Sequence, residues 1–206
     1  MSPEQLFVVI ARVSSDREMQ ERAEDISHLI KYCVKHGHWS IFEMVNICFY
    51  IKTSLPIALQ LLRHKSFSFQ MFSQRYQIVR AIDFPDFRLA NEKGSRQSSE
   101  VEANLSHETI ARLYKYFNES IALYNHLIKE EKVSFETARA VLPLSVSTEL
   151  FMNGSLRSWI HYLFQRLTLF TQKEHRLLAQ KIKQRLSQDF PITFEALESI
   201  KYFKNE

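Results

Sequence analysis

The chain has 206 residues, 45% of them hydrophobic, enough for one domain (residues 1–206) with a real core. Its formal charge is +4 with a pI near 9.0, a mild excess that suits anionic small ligands as well as nucleic acid. It contains only 3 glycines, and neither Gly-X-Gly-X-X-Gly nor Gly-X-X-X-X-Gly-Lys occurs, so a glycine-rich phosphate cradle is excluded and any dinucleotide must be held by side chains.

Cys33 and Cys48 sit inside apolar periodic segments and are expected as core thiols, not as a disulfide or a zinc cluster. No apolar run approaches the roughly 18 residues of a membrane span and no signal peptide shows, so a soluble cytoplasmic protein is expected.

Ser2-Pro3-Glu4-Gln5 opens like a helix start, with Ser2 as cap, Pro3 at the first helical position and Gln5 completing a capping box; the helix should run to about Arg12. A second helix is expected from about Met19 to His36, with Ile26, Leu29, Ile30 and Cys33 on one face and Gly37 as its left-handed end. His36 and His38 can form a metal pair, but no third ligand is near in sequence, and no metal is expected. Asn46 to Lys52 reads as a strand and Ser54 to Leu62 as a helix with Pro56 in its first turn. Gln77 to Arg80 is read as further strand, and Asp83 to Val101 as a mobile loop. Ser106 should cap a long helix to about Lys129, whose stripe of Ile110, Leu113, Tyr114 and Phe117 is expected in the core. Ser134 should cap a short helix, Phe135 to Val141. Thr148 to Asn153 reads as a strand broken at Gly154, and Ser155 starts a helix with Arg157 and His161 on one face. Two amphipathic helices, Gln172 to Phe190 and Thr193 to Phe203, close the chain.

The chemistry concentrates between Arg63 and Tyr76. Arg63, His64, Lys65 and Arg75 lie there with Ser66, Ser68 and Ser73 among aromatic rings. Forked guanidinium donors, small hydroxyls and flat faces suit a phosphate that carries a planar heterocycle. A basic surface loop is the plainer alternative. Gln60 lies just ahead of this stretch and reads equally well as a ligand contact or a solvent-facing residue. Ser155 and Arg157 lie in a helix's first turn, where free backbone N–H groups favour an anion.

This stretch resembles the signature of the flavin-dependent thymidylate synthases: Arg-His-Arg, seven residues, Ser, then X-Arg-Tyr. Here Arg63-His64-Lys65 is followed after seven residues by Ser73-Gln74-Arg75-Tyr76. Lys65 replaces the usual Arg, and Met71 stands where that family usually has Glu. Three dispersed elements extend the likeness: His36-Gly37-His38 with Ser40, Phe42 and Glu43; Ala138-Arg139 before Leu142-Pro143-Leu144; and the Ser155 helix. The resemblance covers nearly the whole chain, although the family often has an N-terminal strand and this chain begins at a helix.

The resemblance implies an α+β fold, with a central helical bundle and a curved antiparallel sheet, in a homotetramer whose active sites lie where subunits meet. It implies reductive methylation of dUMP to dTMP, with methylenetetrahydrofolate as carbon donor and NADPH-reduced FAD as hydride source. By position, Ser40, Arg63, His64, Lys65, Met71, Ser155, Leu156, Arg157 and His161 would hold the flavin. Gln60, Arg63, Ser73, Gln74, Arg75, Arg139 and Arg166 would hold the nucleotide, with Arg166 catalytic through negative charge on the uracil. Neither cysteine sits in a polar setting, which argues against thiolate attack on the ring, and Ser73 has no adjacent base to make it a nucleophile. The departures leave open a relative that alkylates another pyrimidine nucleotide. A nucleic-acid-binding protein using the basic aromatic stretch is the remaining alternative, and no nucleic-acid partner is expected.

Overall fold

A computed structural model describes residues 2–13, 26–90 and 99–203. The chain divides into two compact units. The first takes its described residues from both ends of the chain, up to Ile47 and from Asn153 onward; the second takes them from the middle, from Cys48 to Met152.

The first unit is helical. Helix α1 (Pro3–Ala11) starts from the expected box: Ser2 Oγ accepts the Gln5 N–H and Gln5 reaches back to the Ser2 N–H. Helix α2 (Ile26–Lys35) ends where Gly37 takes φ +71. The His38 N–H returns to Cys33 O at 2.8 Å and the Gly37 N–H to Val34 O at 3.3 Å, which satisfies two carbonyls of the last turn. The part of this helix expected from Met19 onward lies largely outside the described residues. A 3-10 segment (Trp39–Glu43) follows. Helices α6 (Leu156–Arg166), α7 (Lys173–Asp189) and α8 (Pro191–Ser199) complete the unit. Helix α8 packs on α2 and α7, and α6 packs on α7 and the 3-10 segment. Phe7 sits edge-on to Phe42 at 5.1 Å and stacks on Phe190 at 6.0 Å, within a core that includes Trp159, Leu163 and Phe194. Phe190 cannot cap α8 with its side chain. The buried Glu4 carboxylate of α1 does so instead, accepting the Thr193 N–H at 2.7 Å, the Thr193 Oγ1–H at 2.9 Å and the Ile192 N–H at 3.3 Å.

The second unit holds most of a three-stranded sheet of order β1-β3-β2, from β1 (Asn46–Ser54), β2 (Ser68–Met71) and β3 (Ser147–Ser155). β1 and β3 run antiparallel, tied at their ends by Leu55 N–H to Val146 O and Leu156 N–H to Val45 O, both 2.9 Å. Thr148, Leu150 and Met152 are buried on one face of β3, whereas Phe151 on the other lies exposed beside its cross-strand neighbour Tyr50, with ring centroids 5.1 Å apart. Helix α3 (Leu55–Leu61) follows β1 directly. Helix α4 (His107–Lys129), capped by Ser106, packs on α5 (Phe135–Ala138) and a short 3-10 turn, Arg139–Val141. Val79, Tyr124, Ala138 and Val146 form one buried cluster in this unit.

Five expectations need correction. Cys48 is exposed, because it occupies an outward position of the alternating β1; only Cys33 is a core thiol, and burial raises its pKa. Gly154 does not break its strand, since β3 keeps its partner through Ser155. Residues Gln77 to Arg80 do not extend a strand. The chain leaves β3 after the Phe72 N–H bonds Glu149 O and rejoins it where Ala81 O accepts the Ser147 N–H. Of the α4 stripe only Phe117 is buried; Ile110 and Leu113 are half-buried, and Tyr114 is exposed, stacked on Phe84 at 4.4 Å. The last helix, expected from Thr193 to Phe203, runs over Pro191–Ser199, because Pro191 suits its first position and Glu4 supplies the cap. Of the loop expected from Asp83 to Val101, residues 91–98 lie outside the described ones; its described flanks pair through Leu89 N–H to Val101 O at 2.8 Å and Ala103 N–H to Phe87 O at 2.9 Å. The first described element is the helix α1.

Candidate functional site

The candidate residues fall into one group in each unit. In the first, Ser155 is the N-cap of α6 and its Oγ accepts the Ser158 N–H at 3.2 Å. The same hydroxyl donates to Glu43 Oε2 at 2.6 Å, and Arg157 NH1 donates to Glu43 Oε1 at 3.1 Å. A carboxylate thus already sits at the start of this helix, where backbone dipoles favour negative charge. Ser40 is exposed on the 3-10 segment that ends in Glu43. Leu156 is fully buried, and its N–H is committed to Val45 O. His161 is exposed and hydrogen-bonded to Gln165 at 3.0 Å, one turn along from Arg157. Arg166 ends α6, half-buried. Burial pushes the Tyr162 phenol far above its usual range, and the Arg166 charge one turn away pulls it back in part. Tyr202 is raised by burial and lowered by Arg157 in the same way.

In the second unit, Gln60 lies in the last turn of α3, half-buried. The turn that follows carries Arg63, His64 and Lys65: the His64 N–H bonds Leu61 O at 3.0 Å and the Phe67 N–H bonds His64 O at 3.3 Å. His64 is buried edge-on to Phe67, while Arg63 and Lys65 are exposed. Met71 ends β2 and is half-buried. Ser73 organises the next turn. Its Oγ accepts the Arg75 N–H at 3.3 Å, and its carbonyl accepts the Tyr76 and Gln77 N–H groups at 3.2 and 3.1 Å. The Arg75 guanidinium lies 5.5 Å from the Tyr76 ring centre; its Nε donates to Glu136 Oε2 at 3.2 Å, and NH2 lies 3.1 Å from the same oxygen in an ion pair. Arg139 Nε donates to the backbone carbonyl of that same Glu136 at 3.1 Å. Two of the expected nucleotide arginines therefore share one residue. Gln74 is half-buried, and its Nε2 has no hydrogen-bond partner among the described residues.

Where residues 73–80 leave the sheet, a cleft of about 880 Å³ opens beneath them, walled by Phe72, Tyr76, Arg80, Phe135, Thr148 and Glu149. None of the sequence-derived candidates lines it, although Phe72 and Tyr76 bracket Ser73–Arg75. Thr148 Oγ1 is buried in its wall with no hydrogen-bond partner among the described residues. Among those residues no cluster of three or more His, Cys, Asp or Glu could hold a metal, and no helix is long and apolar enough to cross a membrane. Sequence reasoning missed Glu136. Its position three residues before Arg139, in a helix's first turn, was the available signal. Glu43 was noticed only as part of a segment, not as the acceptor that ties Ser155 to Arg157.

The family model for thymidylate synthase complementing proteins, Thy1, matches residues 1–192. A flavin-dependent thymidylate synthase of Synechocystis sp. is 39% identical over 205 residues, covering 96% of this chain and 91% of the relative. One from Thermus thermophilus is 34% identical over 199 residues, covering 96% and 73%. Among solved structures, the UMP/dUMP methylase PolB of Streptomyces cacaoi, bound with 5-Br dUMP, is similar with a TM-score of 0.82 at 22% identity, covering 96% of this chain and 91% of that one. At that identity the likeness speaks to the fold, and the mixed helical and antiparallel architecture agrees with it. With a family match over most of its length, the chain belongs to the thymidylate synthase complementing family, the flavin-dependent thymidylate synthases.

Proposed function

We propose that this protein methylates dUMP reductively to dTMP, with methylenetetrahydrofolate as carbon donor and FAD, reduced by NADPH, as hydride source. The observation that carries the reading is the turn Ser73–Tyr76, set beside Glu136 and Arg139 in a chain of this family. It gathers guanidinium donors and an aromatic face, the chemistry a nucleotide phosphate and its base require.

The donor set also fits a flavin dinucleotide without glycine loops. Arg63 and Lys65 are exposed cations for its pyrophosphate, and Ser40, His64, Met71, Ser155, Leu156, Arg157 and His161 would also contact the flavin. Leu156 would contribute packing alone, and Met71 an apolar contact. When bound, the flavin supplies the hydride. Gln60, Arg63, Ser73, Gln74, Arg75 and Arg139 would hold the nucleotide, and Arg166 would stabilise negative charge on the uracil ring. Lys65 offers a point charge where a guanidinium would offer a fork. Residues 1–206 would work as one synthase domain, in a cytoplasmic homotetramer with active sites between subunits. Several large aromatic side chains, Tyr50, Tyr116, Phe151 and Phe170 among them, are exposed on the single chain, which supports association.

Met71 favours a second reading, in which a related pyrimidine nucleotide such as UMP is the substrate. One experiment separates the two: visible spectra of the protein with FAD and NADPH, with and without dUMP or UMP. Flavin bleaching accelerated by dUMP, with dTMP formed, is the expected result. Acceleration by UMP alone would favour the second reading, and failure to bind flavin would overturn both.

A further inference from the structure

Arg75 and Glu136 form an ion pair across 61 residues of sequence, yet their side chains are 55% and 49% exposed. An exposed pair of this kind contributes little to stability, so stability is a poor reason for it. Its geometry is more informative. Glu136 Oε2 accepts from Nε and lies 3.1 Å from NH2, so it faces one edge of the Arg75 guanidinium and leaves NH1 for another acceptor. The other end of Arg75 is fixed as well, since its backbone N–H donates to Ser73 Oγ and its guanidinium lies against the Tyr76 ring. Glu136 meanwhile holds Arg139 through its backbone carbonyl. One residue thus sets the position of both cations, through its side chain for one and its main chain for the other. Met71, at the end of β2, brings no carboxylate to share this task.

Building on the nucleotide role proposed above for Arg75 and Arg139, we infer that Glu136 is a positioning residue: it presents Arg75 to the phosphate of a pyrimidine nucleotide and keeps that arginine from swinging into solvent. Holding a long side chain in its bound geometry before the ligand arrives removes an ordering cost from binding. Glu136→Gln keeps the carbonyl that holds Arg139 and removes only the charge that holds Arg75, so the two arginines can be separated by experiment.

The test is a double-mutant cycle on the flavin-loaded protein, with dUMP affinity read by titration calorimetry and dTMP formation by turnover. Glu136→Gln is expected to weaken dUMP binding and raise KM about tenfold, the scale of a charge-assisted contact, with kcat changed far less and the flavin spectrum retained. Glu136→Asp should recover part of the loss. In an Arg75→Ala background, Glu136→Gln should have no further effect. Unchanged or tighter dUMP binding in Glu136→Gln would overturn the inference, and so would a loss that persists without Arg75. A parent protein that binds dUMP but makes no dTMP would overturn the proposed reaction while leaving the positioning role to stand or fall on the binding cycle. A parent that does neither would overturn both.

Discussion

Arg166 carries the heaviest proposed burden of any side chain. It sits half-buried at the C-terminal end of α6, where a helix favours positive charge, and its field reaches the buried Tyr162 phenol. An arginine placed there can meet negative charge without first being desolvated at the moment of reaction. Arg166→Ala is expected to lower dTMP formation by at least about a hundredfold, the scale of losing one preorganised donor, while the protein still folds and binds flavin. Single-turnover assays beside visible spectra check this; near-normal turnover would remove Arg166 from the reaction. At the other end of α6, the Arg157 guanidinium is paired with Glu43. Any ligand phosphate at the α6 N-terminus would have to share Arg157 with that carboxylate.

Among the elements, α8 depends most on a distant residue. Phe190 lies at its cap position and has no oxygen to offer, so Glu4 reaches from α1 to three donors in its first turn. Because Glu4 is buried, removing it leaves those donors without water as well. Glu4→Ala should cost about 2 kcal/mol and lower the melting temperature by about 4–8 °C, with α8 fraying before α7. Calorimetry with hydrogen exchange of the Thr193 amide is the check, and an unchanged melting temperature would contradict the cap. The excursion of residues 73–80 is also an element-scale decision. It takes Ser73–Tyr76 out of the β3 ladder, so their side chains and amides are not spent on a strand partner.

For the whole molecule, the proposed tetramer is the feature to measure. The single chain exposes aromatic rings on the outer sheet face, at Tyr50 and Phe151, and along α4, at Tyr114 and Tyr116. Sedimentation should therefore report a species of four 24.4 kDa chains at micromolar concentration. A monomer that still turns over dUMP would end the proposal that active sites lie between subunits.

The sequence by itself determined several helix ends, where a side-chain or glycine cap acts locally, but not those of α8, expected from Thr193 to Phe203 and found at Pro191–Ser199 with its cap supplied by Glu4. Ser2 with Gln5, Ser106 with Thr109, Ser155 with Ser158 and the left-handed Gly37 each act within a few residues, and each is where the chain implies. It also determined family membership, since the spacing from Arg63 to Tyr76 and the dispersed elements around it are properties of order along the chain. Tertiary structure decided whatever depends on a distant partner. The strand Ser68–Met71 was itself legible, since Ser66-Phe67-Ser68-Phe69-Gln70-Met71 alternates polar with apolar residues; only its pairing with β3 depended on the fold. Cys48 faces outward because of strand parity, which average hydrophobicity does not encode. Only folding could join Arg75 to Glu136, because a guanidinium and a carboxylate 61 residues apart carry no mark of each other until sheet and helix bring them within 3.1 Å.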